Sequence, residues 1–225
     1  MRYRTCSSLA TLLISPQSHS STVARAMSTR QVEFGRVDEF SVTSTSTNNS
    51  CPSIKNACAS QTISVERVYL DDDGTYPNND QYPTLLLKSV FDGTQAGGVR
   101  RITNDGEWTP PWAWGIFEYH HYHSRAWELL LCVRGDASVQ LGGPTGPTVP
   151  ISRGDSVLIP PGVAHKQLNA NGGFTLLGAY PTQDFDGSID TLTGLPTSEQ
   201  RDRIKTCFVP LTEPITGLNV KDLCN

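Results

Sequence analysis

The chain has 225 residues, 37% of them apolar, with 18 basic and 22 acidic side chains and a formal charge of −4. That length suits one domain with loose ends, and the charge leaves no basic footprint for nucleic acid. No apolar run approaches the roughly 20 residues of a spanning helix, so a membrane is not an expected partner either.

Residues 1–32 hold no acidic side chain, while Arg2, Arg4, Arg25 and Arg30 are basic and serines are frequent. This is the composition of a mitochondrial presequence. Translation from Met27 would remove the stretch, and an untargeted tail fits as well, so three readings stay open, with the cytoplasm as default location. Residues 27–62 are polar, with a Ser/Thr/Asn-rich centre from Ser41 to Ser50, and read as linker or disorder. Residues 1–62 are therefore set apart as a tail, and Asn48-Asn49-Ser50 is a chance glycosylation acceptor. No two cysteines have Cys-x-x-Cys spacing. Cys132, inside an apolar run, reads as a buried free thiol, and a Cys51–Cys58 link stays open.

Order is expected from about residue 63. Ser64–Leu70 reads as a strand ending in the turn signal Asp71-Asp72-Asp73-Gly74. Thr84–Val90 is strand or helix, Gly93–Gly106 a glycine-rich loop, and Trp108–Trp114 a lid or rim. From Ile116 the pattern is plainly β: Ile116–His123, Glu128–Val133, Ala137–Leu141, Ser156–Ile159 and Phe174–Tyr180 are strands. Between them lie turns at Arg134-Gly135-Asp136, Gly142–Pro147, Arg153-Gly154-Asp155 and Pro160-Pro161-Gly162. Short strands punctuated this often argue a sandwich or closed barrel, an all-β fold. After Pro181 the chain is mostly polar; Glu199–Cys207 suggests a short helix, Phe208–Leu211 an edge strand, and residues 216–225 a tail.

His121 and His123 stand two apart in a predicted strand, so their side chains leave the same face. Glu128 opens the next strand, and His165 follows a sharp Pro-Pro-Gly bend that can aim it back at the pair. Three imidazoles and a carboxylate suit Fe, Mn, Ni, Cu or Zn, with one or two positions left for water or substrate. By the same alternation Tyr119 lines the site and Gln167 shares a face with His165, which makes both candidate catalytic residues beside Glu128. His120 faces away and is a neighbour rather than a ligand; Trp112 and Trp114 are rim packing or an aromatic substrate wall.

The spacing also carries a resemblance. Gly115, His121-Tyr122-His123, Glu128 and Gly135 match the first cupin motif at every interval, and Gly154, Pro160-Pro161-Gly162, His165 and Asn169 match the second. The chain thus resembles the cupin family over about residues 64–215, and so a double-stranded β-helix (jelly-roll) barrel with His121, His123, Glu128 and His165 as metal ligands is implied. Asp71–Asn79, Tyr119–Ser124 and Gly178–Pro181 look like segments of the small YjlB-like cupins, although Trp127 stands where a smaller or polar residue is expected. The chain is further similar to fungal cupin-domain oxidoreductases that accompany reducing polyketide synthases. That resemblance implies an Fe(II)-favouring oxidoreductase on a small, aromatic substrate at the alcohol–aldehyde level. A non-redox metal enzyme (isomerase, decarboxylase or hydrolase) and a binding module without turnover are the alternatives. An unpaired edge strand, together with the habit of single-domain cupins, implies a homodimer.

Overall fold

The computed structural model describes residues 35–45, 60–183 and 185–225. Eight antiparallel strands form one sheet: β1 (Arg36–Thr45), β2 (Ser60–Leu70), β3 (Asn79–Lys88), β4 (Trp112–Trp114), β5 (Glu128–Leu141), β6 (Thr148–Ser152), β7 (Ser156–Ile159) and β8 (His165–Ala179). Their order is β1-β2-β3-β7-β5-β8-β4, with β6 also paired to β5, so hydrogen bonding does not close the sheet into a ring. Helices α1 (Gln95–Asp105), α2 (Ser198–Thr206) and α3 (Val220–Cys224) accompany it.

β5 and β8 are the spine. They pair from Leu129↔Ala179 at one end to Leu141↔His165 at the other, with register shifts around Arg134. The expected turn at Arg134-Gly135-Asp136 is instead a bulge inside one long strand. Bulges bend and twist a ribbon, and Gly135 permits this one: its φ is 68°, and a Cβ there would lie 2.2 Å from the Asn171 carbonyl oxygen. The bent ribbon curls until Glu128, at the start of β5, touches His165, the partner of its far end.

Curling gives β5 an inner and an outer face. Leu130, Cys132, Val139 and Leu141 pack inward with Val68, Leu86, Val157 and Leu176. Trp127, Leu129, Leu131 and Val133 pack outward with Val42, Val65, Leu87, Ile102, Val220 and Leu223. Trp127 belongs to that outer core, its ring edge-on to Tyr82.

Several sequence expectations are corrected here. β1 lies inside the supposed 1–62 tail; it pairs with β2 from Arg36↔Tyr69 to Thr45↔Ser60 and buries Val42 in the outer core. The supposed 216–225 tail forms α3, which contributes Val220, Leu223 and Cys224 to the same core. In both places a few apolar side chains among polar neighbours find a hydrophobic layer that no local pattern announces. Gly93–Gly106 is mainly helix α1, capped by Thr94 Oγ1 accepting from Gly97 N and ended by Gly106. Its glycines allow close packing rather than a loop: a Cβ on Gly98 would come 2.8 Å from Leu177 Cδ1. Ile116–His123 is no continuous strand; it is an irregular segment with isolated bridges at His121↔His165 and Tyr122↔Leu192. Phe208–Leu211 forms no strand, the short helix expected at Glu199–Cys207 is α2, and Cys132 is a buried free thiol. The readings of residues 1–34, Asn48–Ser50 and Cys51–Cys58 lie outside the described residues. Among those described, no helix is long and apolar enough to cross a membrane.

Candidate metal centre

His121 and His165 are tied backbone to backbone, each N–H donating to the other's carbonyl at 3.2 and 2.9 Å, which sets their rings 4.1 Å apart by centroid. The loop before His165 is pinned by the Asp-rich turn. Asn78 donates to Asp71 O and Gly142 O and accepts from Ala164 N, while Asn79 donates to Pro161 O. Gly162 passes over this pair at φ 89°, where a Cβ would meet Asn78 O at 2.4 Å; its N–H donates to His123 O. The Pro-x-Gly bend thus aims His165 and also locks the backbone of His123.

Each ligand-type histidine gives its Nδ1 to a backbone carbonyl: His121 to Tyr119 O, His123 to Asp190 O, His165 to Val163 O. A carbonyl only accepts, so Nδ1 carries a proton, and in a neutral ring that leaves the lone pair on Nε2. His121, His123 and His165 offer ligand atoms within 4.8 Å of one another, in a cluster that could hold a metal ion. Glu128 Oε2 sits 3.2 Å from His165 Nε2 and 3.6 Å from His123 Nε2. All four side chains are buried, and His123 Nε2, His165 Nε2 and Glu128 Oε2 face one another with no hydrogen-bond partner outside the cluster. Buried polar atoms left facing one another in this way fit a shared cation.

The electrostatics agree. Burial, with the neighbouring His165 and His123 rings, pushes His121 down to about 3, so its imidazole is neutral. Burial opposes charge on Glu128 as well, yet His123 and His165 hold its carboxyl well below the usual range. Burial likewise opposes charge on His123, but Glu128 and the Asp190 carbonyl raise it.

The other candidates lie beside the cluster. Tyr119 is 48% exposed, its ring 5.6 Å from that of His121 and stacked on Phe117. Gln167 lines an open groove of about 490 Å³ with Trp114, Ile116, Phe117 and Phe174; none of the histidines lines it. His120 turns away, its ring 5.6 Å from Tyr76.

Two groups escaped the sequence. Tyr180 donates to Glu128 Oε1 at 3.2 Å, with the Trp112 indole beside it; burial and the adjacent carboxylate push its phenol far up. Alternation along β8 from inward-facing Leu176 would have found it. Asp190 accepts from Ser124 N and Oγ, and Arg203 donates to Ser124 Oγ at 3.2 Å. This clamp on the His123 segment joins residues more than 60 positions apart, which no local signal marks.

A curled antiparallel sheet around three buried imidazoles and a carboxylate defines a small β-fold protein with a cluster that could hold a metal ion. A family model described as "Cupin domain" matches residues 114–173. Over 153 residues the chain is 37% identical to "Uncharacterized protein YjlB" of Bacillus subtilis (strain 168), covering 66% of this chain and 88% of that one. The chain belongs to the cupin family. Among solved structures, Streptomyces albus HEPD, with its substrate 2-hydroxyethylphosphonate and Fe(II) bound, overlaps 63% of this chain. This chain spans only 24% of that one, at 13% identity and a TM-score of 0.25, a likeness too slight to bear on chemistry.

Proposed function

We propose that this cupin is a metal-dependent oxidoreductase. It acts on a small organic substrate, aromatic and polyketide-type, at the alcohol–aldehyde level, with Fe(II) as the favoured metal and dioxygen as oxidant. The observation that carries the metal part is the set of buried polar atoms that face one another with no partner outside the cluster: His123 Nε2, His165 Nε2 and Glu128 Oε2, beside neutral His121. His121, His123, His165 and Glu128 would hold the ion, and nitrogen and oxygen donors of this kind suit Fe(II), with Mn, Ni, Cu and Zn as competitors. Bound there, Fe(II) supplies a Lewis-acid position for a substrate oxygen and one-electron chemistry with dioxygen.

The chain's own groups do the rest. Glu128 brings the negative charge that offsets the dication where the inner core, Leu130 and Leu176 included, keeps the dielectric low. The three imidazoles are fixed in direction by the carbonyls that anchor their Nδ1 atoms. Phe117 and Tyr119 form an aromatic rim against His121, which supports a flat substrate entering from that side. Gln167, in the adjoining groove, offers an amide to a polar substituent.

The test is anaerobic loading of the full chain with Fe(II), followed by oxygen uptake against a panel of aromatic alcohols and aldehydes. Uptake that needs substrate and vanishes in His165→Ala supports the reading. Turnover with Zn or Mn and no oxygen would replace it with a non-redox enzyme; thermal stabilisation by a ligand without product would replace it with a binding module. The homodimer belongs to the same proposal. Among the described residues β4 pairs with β8 alone, and its Trp114 is 71% exposed, an edge of the kind a second subunit covers. Light scattering should then report twice the 24.5 kDa chain mass, and a monomer would refute it.

A further inference from the structure

Tyr180 is held on every side. Its N–H donates to Thr109 Oγ1 at 3.1 Å, its carbonyl accepts from Thr109 N at 2.8 Å, and its ring stacks on Phe185 at 5.8 Å. The Trp112 indole lies beside its phenol. The phenol donates its proton to Glu128 Oε1 at 3.2 Å, an oxygen that as carboxylate only accepts. Trp112 in turn packs its ring against Gly178, where a Cβ would stand 1.9 Å from it; only glycine leaves room for it. The two oxygens of Glu128 are thereby given different partners: Oε1 faces the phenol, and Oε2 faces His165 and His123.

We infer that Tyr180, braced by Trp112, is a positioning residue that restricts Glu128 to a single oxygen on the metal. A carboxylate free to turn offers both oxygens and occupies a second coordination position. The phenol's hydrogen bond to Oε1 prevents that turn and keeps the position open for substrate or oxidant. The inference rests on the metal-centre reading and adds to it the reason for Tyr180, Trp112 and Gly178.

The experiment uses Co(II) with the full chain and reads visible d–d absorption and affinity by competition with a chromophoric chelator. Tyr180→Phe should leave the melting temperature of the metal-free protein nearly unchanged. It should weaken Co(II) binding by about 10- to 100-fold, the usual cost of losing an outer-shell partner. It should also lower the d–d absorptivity, because a second carboxylate oxygen raises the coordination number. Trp112→Phe should shift both readouts the same way by less. In a Glu128→Ala background Tyr180→Phe should change neither, since the brace then has nothing to hold. An unchanged spectrum and affinity in Tyr180→Phe, or an equal loss with and without Glu128, overturns the inference and leaves the metal centre standing. A parent protein that binds no Co(II) overturns both.

Discussion

The two faces of β5 are one residue out of phase and belong to different worlds. Glu128, Leu130 and Cys132 look into the curled sheet, where the family motifs lie; Trp127, Leu129, Leu131 and Val133 look out to β1, α1 and α3. The inner face is organised by directed polar contacts: carbonyls that orient imidazoles, a phenol that orients a carboxylate. The outer face is organised by apolar area and by one buried acid, Glu213, which accepts from Ser156 Oγ, Ile215 N and Thr216 N. Chemistry needs positions fixed within tenths of an ångström, whereas a hydrophobic layer needs only area and shape. The inner face therefore leaves a spacing signature and the outer one does not.

The sharpest way to break this division is to delete ligands. His121→Ala, His123→Ala and His165→Ala should each remove most bound metal, more than the roughly 10- to 100-fold loss that outer partners cause. Glu128→Ala should retain more of it, since three imidazoles remain, while His120→Ala should change nothing. Metal stoichiometry by inductively coupled plasma analysis, with circular dichroism as a folding control, decides it. If His120→Ala empties the site and His121→Ala does not, the inner and outer assignments are exchanged.

Leu129→Ala probes the outer layer alone. Leu129 is fully buried there, so denaturant unfolding should show a loss of about 2–5 kcal/mol. The folded fraction should bind metal with unchanged stoichiometry. A lost metal site would show that the two layers are one cooperative unit.

Glu213 gives the outer layer a pH dependence. Burial raises its carboxyl above the usual range, against hydrogen bonds from Thr216, Ile215 and Ser156 that lower it. The folded protein therefore holds this proton at pH values where the unfolded chain has released it. The resulting stability is full below the ordinary carboxylate range and is lost as pH rises through the folded value. Melting temperatures of Glu213→Gln and the parent, compared from acid to neutral pH, should converge at the acid end. The variant's profile should be flatter across that window; equal slopes would mean the acid is already ionised in the fold.

The smallest effect is at the thiols. Burial pushes Cys132 up to about 11 and Cys224 up to about 12. Iodoacetamide at pH 8 should spare both in the folded protein and modify both after unfolding, as peptide mass spectrometry would show. Rapid native labelling of Cys224, the outer-core thiol, would mean that α3 opens readily.

Tyr119 and Gln167 show how far alternation reaches. It placed them on the ligand side of their segments, but whether a side chain enters the cluster or stops at its rim depends on a bend that period two does not encode. Tyr180 was the converse: its alternation was readable, yet only the curl of β8 against β5 brings its phenol to a carboxylate 52 residues away. Gly93–Gly106 misled because glycine is read as loop, whereas the glycines of α1 serve contact with Leu177, a fact about a partner element.

By itself, the sequence determined parts of the spine, Glu128–Val133, Ala137–Leu141 and Phe174–Ala179, and the bends at Asp71–Gly74 and Pro160–Gly162. It also singled out the three histidines and Glu128 that the fold brings together, because turn chemistry is local and the motif spacing is rigid. The tertiary structure alone decided that β1 and α3 are parts of the domain, that Asp190 and Arg203 clamp Ser124, and that Tyr180 and Trp112 hold Glu128. Each of those rests on a contact between distant segments, made favourable by buried area or by a buried polar atom needing a partner, and neither demand is written in the neighbouring residues.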